Sequence, residues 1–168
     1  YNCSSLKSIR LSNNLENINT YTFAVCTSLE EIIVPENVKS IGQQAFTDCT
    51  KLKRIDLPEG LESIGNQAFW SCNHLEEINI PSTVTLIGRE AFCFCSSIKT
   101  LTIPASITTF EYREFCQMDN LETVYFEHEE VPVFGEQLFS KWGGVKTTFY
   151  FKNSDVANSF TTSCYESE

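Results

Sequence analysis

Apolar residues recur along this chain at fixed positions with a period of 23 residues. The stretch LEEIIVPENVKSIGQQAFTDC at 29–49 returns as LKRIDLPEGLESIGNQAFWSC at 52–72 and as LEEINIPSTVTLIGREAFCFC at 75–95. The register holds without insertion or deletion over about five and a half copies. Such repetition predicts a solenoid, because each copy cannot bury its apolar face alone and must stack on its neighbours.

Each copy contains a pattern that predicts one β-strand. In LxxIxL the last two apolar residues alternate with a polar one, as the residues of a half-buried strand do. Proline follows, and because it fixes φ and lacks a backbone donor it ends the strand. This proline recurs as Pro35, Pro58, Pro81 and Pro104. Stacked copies are therefore expected to place these strands in one parallel sheet.

The rest of each copy predicts short turns. A second apolar pair, such as Val38 and Ile41, precedes a glycine, which predicts a positive φ or a tight bend. This glycine recurs as Gly42, Gly65 and Gly88. The following QQAF, NQAF and REAF predict a single helical turn, because they are too short for a full helix. The phenylalanine predicts an unbroken aromatic column in the core: Phe23, Phe46, Phe69, Phe92 and Phe115.

The combined motif LxxIxLPxxVxxIGxxAFxxC, present over residues 3–126, resembles the BspA-type class of leucine-rich repeats. The resemblance implies a leucine-rich-repeat-like solenoid with its parallel sheet on the concave face. It also implies a surface protein of a host-associated bacterium or of a protist. The more familiar leucine-rich class keeps an asparagine three residues after the strand, whereas this column reads Asn14, Asn37, Gly60, Thr83 and Ser106. The backbone of that turn therefore needs partners other than an asparagine ladder.

We predict two regions, the repeats over residues 1–126 and a degenerate last repeat with a C-terminal cap over 127–168. In FEYREF, at 110–115, the copy keeps both phenylalanines but loses its glycine and its alanine. The last coil of a solenoid would expose its apolar face and strand edge, so a terminal segment that does not follow the repeat pattern usually covers it. The first copy has no such segment before it, and we expect further repeats or another domain to precede Tyr1.

Three features of the second region predict its structure. Leu138 stands where the next phenylalanine of the aromatic column would fall. The segment KTTFYF predicts a final edge strand, with Phe149 one period after Phe126. Ser154 offers an N-cap to a short helix over DVANSF.

Five of the eight cysteines share one inward-facing column. They are Cys3, Cys26, Cys49, Cys72 and Cys95, and Met118 follows in the next copy. A position that methionine can also fill predicts buried thiols, and in-register parallel side chains stand slightly too far apart for an easy disulfide. Cys93 and Cys116, one period apart on a less buried face, are the pair that bridges if any does. Spacing identifies no partner for Cys164, and without a CxxC pair we predict no zinc site.

The charge balance limits the partners. The 168 residues include 22 acidic and 12 basic ones, a formal net charge of −10. This charge argues against nucleic acid and anionic membranes as partners, because both are polyanions. No apolar run approaches the roughly 18 residues of a membrane span, so we expect no membrane insertion of this segment.

No group of residues indicates catalysis. His74 and His128 are the only histidines, and no Ser-His-Asp order or phosphate-cradling glycine loop accompanies them. The segment EHEE could bind a cation through Glu127, His128 and Glu129, although a solvated charge run at the start of the cap is the favoured interpretation. We therefore predict no catalytic residue, no metal and no cofactor.

The first polar position of the strand motif alternates in charge. It reads Lys7, Glu30, Lys53, Glu76, Lys99 and Glu122. In a parallel stack each lysine has glutamate neighbours, and each exposed pair contributes roughly 0.2–1 kcal/mol. Since like charges would repel, the alternation also disfavours a slip by one coil. We interpret this column as a structural ladder in preference to a ligand site.

Two exposed columns within the strands form the candidate binding surface. They should line the concave face, which solenoid proteins commonly use to bind partners. The candidate partner-binding residues are Arg10, Glu31, Ile33, Arg54, Asp56, Glu77, Asn79, Thr102 and Tyr125. Ile33 and Tyr125 add apolar area to a polar surface, although single exposed apolar residues are normal.

These observations predict a non-enzymatic, extracellular interaction module. The resemblance implies display at the cell surface and adhesion to a protein ligand from a host, from the matrix or from neighbouring cells. The alternative is a passive spacer or scaffold within a larger cell-surface protein. An enzyme would require a cleft with perturbed acids or a metal, and the sequence indicates neither.

Overall fold

The computed structural model describes residues 1–140, 144–160 and 164. Successive repeats form stacked coils, and all strand pairings in these residues are parallel. The elements are β1 (Asn17–Ile18), β2 (Glu31–Ile33), β3 (Ser40–Ile41), β4 (Arg54–Asp56), β5 (Ser63–Ile64), β6 (Leu86–Ile87), β7 (Thr100–Ile103), β8 (Thr123–Phe126), β9 (Thr148–Phe151) and α1 (Ser154–Ser159). The predicted fold class, a parallel-strand solenoid, is confirmed.

The strands lie in two rows along the stack. The LxxIxL segments supply β2, β4, β7, β8 and β9, and the second apolar pair of each copy supplies β1, β3, β5 and β6. Ile32 pairs with Ile55, and Ile41 pairs with Ile64, so equivalent positions of successive coils lie side by side. The sequence period thus sets the register of both rows.

The LxxIxL row is divided, so the prediction of one continuous sheet is wrong. Strands β2 and β4 pair with each other, and bridges extend this part from Arg10 to Ile33 and from Arg54 to Glu77. Strands β7, β8 and β9 form a separate sheet. Between Glu77 and Thr100, both of which the structure describes, no strand pairing joins the two parts.

The aromatic column packs as predicted. The ring centroids of Phe46 and Phe69 are 5.3 Å apart with nearly parallel planes. The stack continues past Phe115 to Phe139, at a centroid distance of 5.3 Å. Leu138 is buried beside this stack but does not extend it, because the last coil places its next ring one residue later.

The segment after the glycine is not helical, contrary to the sequence prediction. Gln44 and Asp48 have φ values of 52° and 55°, in the left-handed region. Two successive β-turns contain these residues. Each turn is closed by a backbone hydrogen bond, one from Ala45 N to Gly42 O and the other from Cys49 N to Phe46 O. The same left-handed positions recur in the following coils, so the coil reverses direction through linked turns.

The repeated glycine is required for close approach between coils. Of the glycines with described φ, only Gly144 has a positive value, so of the two predicted alternatives, a positive φ or a tight bend, the positive φ is wrong. A Cβ on Gly65 would lie 2.7 Å from Gln43 N and 2.8 Å from Gly42 C in the preceding coil. A Cβ on Gly42 would lie 2.6 Å from Thr20 N. Only glycine lets the backbones come this close.

Side chains other than an asparagine ladder satisfy the turn after the strand, as predicted. Thr83 Oγ1 donates to Glu59 O at 2.7 Å, and Ser106 Oγ donates to Val84 O at 2.5 Å. Asn37 is the one asparagine of this column that donates to the preceding coil among the described contacts. Each of these bonds links one coil to the coil before it.

The C-terminal region follows the sequence only in part. Strand β9 forms where KTTFYF predicts it, but Phe151 rather than Phe149 pairs with Phe126, because two residues are inserted. Helix α1 is capped by Asn153 rather than by Ser154, since the Asn153 side chain accepts a hydrogen bond from Val156 N. The predicted cap includes residues 141–143, 161–163 and 165–168, which lie outside the described residues, and the boundary at residue 126 stays a prediction.

Candidate functional site

All nine candidate partner-binding residues are exposed, and the strands bring them onto one surface, which we call the sheet face. Arg10, Ile33 and Asp56 stand in one column through the pairings of successive coils. Glu31 and Arg54 pair in the adjacent column. Strand pairing therefore joins the predicted residues in two groups, one from Arg10 to Glu77 and the other of Thr102 with Tyr125, and no pairing includes Asn79. Their binding of a partner stays a prediction.

The first part of the sheet face carries charge. This charged half comprises Arg10, Glu31, Ile33, Arg54, Asp56, Glu77 and Asn79. Five of these residues, from Arg10 to Asp56, line a groove of about 690 Å³. Ile33 stands within the groove with 72% of its surface exposed. Arg54 Nε donates to Asp56 Oδ1 at 2.9 Å, and this bond and the aspartate charge raise the pKa of Arg54.

The second part of the sheet face is uncharged. This hydroxyl half comprises Thr100, Thr102, Thr123, Tyr125, Thr148 and Tyr150 on strands β7 to β9. The rings of Tyr125 and Tyr150 stack with centroids 5.0 Å apart and planes inclined by 19°. Sequence reasoning included Thr102 and Tyr125 but missed Tyr150, because the two-residue insertion hides its alignment with Tyr125.

The alternating column is a ladder of neighbours, as predicted. Lys53 N donates to Glu30 O at 2.9 Å, and Glu76 N donates to Lys53 O at 3.2 Å. The side chains of Lys53 and Glu30, both more than half exposed, form an ion pair with 3.8 Å between Nζ and Oε2. An exposed pair of this kind contributes little to stability, so the column acts mainly on register.

The cysteine column is buried in four of its five members. Cys26, Cys49, Cys72 and Cys95 are at most 1% exposed, whereas Cys3 is exposed, contrary to the prediction. The thiols also donate hydrogen bonds, which the sequence did not indicate. Cys49, Cys72 and Cys95 donate to the phenylalanine carbonyl of the preceding coil at 3.1–3.2 Å. Burial raises the pKa of Cys49 to about 12, so the donor proton is retained.

Cys93 and Cys116, the pair selected from the sequence, form a disulfide. Their Cα atoms are 4.5 Å apart, which lies within the range of natural disulfides. Both residues are at most 3% exposed, so the expectation of a less buried face is wrong. The bridge joins the coil of residues 75–97 to the coil of residues 98–120.

A buried carboxylate lies two residues before Cys116 in the chain. Glu114 occupies the position that Ala91 holds one coil earlier, and it is fully buried. Its Oε1 accepts a hydrogen bond from Glu111 N, and Oε2 has no partner within the described residues. Burial raises the pKa of Glu114 from an ordinary 4.5 to about 7, although the hydrogen bonds oppose the shift. The loss of glycine and alanine in FEYREF was the sequence signal for this site.

The histidine of EHEE belongs to the core. His128 is 2% exposed, and its Nε2 hydrogen-bonds to Ile107 O at 2.8 Å. Its ring packs against those of Phe110 and Phe126, at centroid distances of 6.0 and 5.8 Å. A solvated run was therefore the wrong interpretation for this residue, although Glu127 and Glu129 are exposed. Within the described part of the chain no group of three potential ligands could hold a metal ion.

Comparison with known proteins identifies the repeat. The sequence profile of the BspA type leucine rich repeat region matches residues 16–146 in six copies. No curated protein sequence matches the chain. In the described residues, no helix combines the length and apolar character that crossing a bilayer requires.

Solved leucine-rich repeat structures share the fold. The Treponema pallidum leucine rich repeat protein aligns with 32% identity and a TM-score of 0.67, over 71% of this chain and 58% of that one. A leucine-rich repeat protein from Bacteroides ovatus aligns with 29% identity and a TM-score of 0.75, over 92% and 39%. A leucine rich cell surface protein from Faecalibacterium prausnitzii shares the fold alone, with 20% identity and a TM-score of 0.53, over 92% and 56%. The chain thus spans 39–58% of the length of these proteins.

Proposed function

Because the chain belongs to the BspA-type leucine-rich repeat family, we propose that it is a non-catalytic, extracellular module that binds a protein ligand through the charged half of the sheet face. Repeat solenoids offer an extended, rigid surface whose exposed positions can vary without changing the fold. Here the conserved positions of the repeat supply the core, and the variable ones supply the surface. The ligand is a host, matrix or neighbouring-cell protein.

The observation that carries this proposal is the exposure of Ile33 within a charged groove. Ile33 is 72% exposed, and Arg54 and Asp56 pair beside it in the same groove. An apolar side chain ringed by charged groups resembles the core and rim of a protein interface. Burying Ile33 against a partner would remove its apolar surface from water, and the charges would select the partner's orientation.

Location at the cell surface is supported by the comparison. The Faecalibacterium prausnitzii protein that shares the fold is a cell surface protein. The formal net charge of −10 would repel nucleic acid, which is itself negatively charged, and this agrees with a protein partner. Adhesion is the role that a surface-displayed binding solenoid would perform.

The second candidate function is a passive spacer within a longer surface protein. It is favoured by the internal pairing of the groove, where Arg54 donates to Asp56 and neither charge needs a partner. A spacer would require the stacked coils but no groove residue.

The two functions are separated by a binding assay with matched variants. The chain is screened against purified matrix and plasma proteins, and the affinity for each protein that binds is then measured by titration. Ile33→Asp should weaken binding at least about tenfold. Leu86→Asp is the control, because Leu86 is 49% exposed on β6, in the other row of strands. Equal affinity of both variants would contradict binding through the charged half, and the absence of any binding protein would favour the spacer.

A further inference from the structure

We infer that the hydroxyl half of the sheet face is a second binding site, one for a neutral carbohydrate. This inference goes beyond the proposed protein ligand, because it concerns different residues and a different class of ligand. It starts from the contrast between the two halves of one surface. All the exposed positions of β7 to β9 on this face are threonine or tyrosine, whereas three of the four equivalent positions of β2 and β4 are charged.

The hydroxyl groups of this half are available to a ligand. Within the part of the chain that the structure describes, the side-chain hydroxyls of these six residues have no hydrogen-bond partner. Several threonines elsewhere in the described residues are engaged, such as Thr22, whose Oγ1 donates to Asn19 O, and Thr83, whose Oγ1 donates to Glu59 O. The hydroxyls of Thr20, Thr50, Thr108 and Thr109 have no such partner, so what sets the hydroxyl half apart is that its free hydroxyls adjoin one another on paired strands. Each hydroxyl can donate one hydrogen bond and accept others, which matches the mixed donors and acceptors of a sugar.

The tyrosine pair supplies a flat surface of the right kind. Tyr150 covers one face of the Tyr125 ring, and the register places the smaller Thr102 on the opposite side of Tyr125. That opposite face is therefore not covered by a second ring, and Tyr125 is 44% exposed. The face of an aromatic ring is electrostatically negative, and the C–H groups of a pyranose ring present a weakly positive, apolar face. A sugar ring stacked on Tyr125 would lie above Thr102.

The absence of charge decides the class of carbohydrate. A sialylated or sulfated glycan needs a cation in its site, and the hydroxyl half holds none among its six residues. Threonine is under-represented among the residues that dominate protein–protein binding, and four of the six residues of the hydroxyl half are threonines. Hydroxyl groups around an exposed aromatic ring offer a neutral sugar both hydrogen bonds and a flat apolar contact.

The experiment uses the whole chain with an array of neutral oligosaccharides built from glucose, galactose and mannose, with sialylated and sulfated oligosaccharides on the same array. We expect neutral members to bind, and their affinity is then measured by calorimetric titration. Tyr125→Ala should weaken this binding about tenfold or more, and Thr102→Val, which keeps the side-chain shape, should also weaken it. Tyr21→Ala is the matched control, because Tyr21 is 43% exposed outside the sheet face, and it should change affinity by less than about threefold.

Three outcomes would overturn the inference: binding of no neutral oligosaccharide, binding of sialylated or sulfated oligosaccharides alone, or equal affinity of Tyr125→Ala and the parent. Circular dichroism establishes that the variants are folded. Should Tyr125→Ala fail to fold, Tyr125→Phe and Thr102→Val keep the test decisive, since the former should retain binding and the latter should lose part of it. Ile33→Asp should leave oligosaccharide binding unchanged, which separates this site from the proposed protein site.

Discussion

Two successive joints of the solenoid are held together by different means. The regular joint, between residues 52–74 and 75–97, has strand pairing between β5 and β6 and the bond Gly88 N to Ile64 O at 2.8 Å. The stapled joint, between residues 75–97 and 98–120, has no strand pairing among the described residues. Its coils are joined in the turn region by bonds such as Phe92 N to Glu114 O at 2.8 Å and by the disulfide.

The difference follows from one position of the repeat. A Cβ on Gly88 would lie 2.5 Å from Asn66 N, so glycine is what allows the regular joint to close. Glu111 takes this position in the next coil and carries a side chain that prevents the same approach. The N–H of Gly88 donates to Ile64 O across the regular joint, whereas the N–H of Glu111 donates to the carboxylate of Glu114. The comparison teaches that a covalent bridge can replace the backbone pairing that a single non-glycine residue removes.

Removing the disulfide is expected to have the largest effect on this contrast. Cys93→Ala with Cys116→Ala should lower the free energy of unfolding by about 3 kcal/mol, since the bridge closes a loop of some 23 residues. Hydrogen exchange should accelerate at the amides of Phe92 and Phe94, which cross the stapled joint. The amide of Phe46, in a joint with strand pairing, is the internal control, and equal acceleration there would contradict the prediction.

The buried carboxylate predicts a pH dependence of similar or smaller size. The pKa of Glu114 is raised in the folded state, so its contribution to stability is greatest below pH 4.5 and is lost as the pH rises to about 7. The loss is on the order of 2–3 kcal/mol. Urea denaturation from pH 4 to 8 should show that Glu114→Gln is stabilised relative to the parent as the pH rises. Glu59→Gln, an exposed control, should follow the parent, and parallel curves for Glu114→Gln would refute the assignment.

The smallest effect is expected from equivalent alanine substitutions at two joints. Gly65→Ala should destabilise the chain by about 2 kcal/mol, because the added Cβ would meet backbone at 2.7 Å. Glu111→Ala at the equivalent position should change the free energy of unfolding by less than about 1 kcal/mol, because the coils at that joint already accommodate a Cβ. Thermal denaturation of both variants measures the difference. Similar losses would mean that glycine does not control the spacing of the coils.

The sequence predicted the stacking because the fold depends on burial at a fixed period. Phe46 and Phe69 stack because the same side chain returns in the same place, and Cys93 and Cys116 meet for the same reason. The left-handed φ of Gln44 could not be predicted, because glycine is the usual marker of that conformation and none is present.

The candidate site was predictable only where the period is unbroken. Arg10, Ile33 and Asp56 align by counting residues, and the structure pairs them. Tyr150 was missed because its alignment with Tyr125 requires an insertion of two residues. The interruption at Glu111 depends on contact distances between backbones of different coils, which a list of residue types does not contain.

The hydrogen-bonded thiol column has a chemical consequence for the extracellular location that we propose. The thiolate is the form that reacts with oxidants and disulfides, and burial raises the pKa of Cys49 to about 12 and that of Cys72 well above its ordinary value. At neutral pH these sulfurs are protonated and shielded from solvent. The folded chain can therefore keep unoxidised cysteines side by side with a disulfide in an oxidising medium, without scrambling between them.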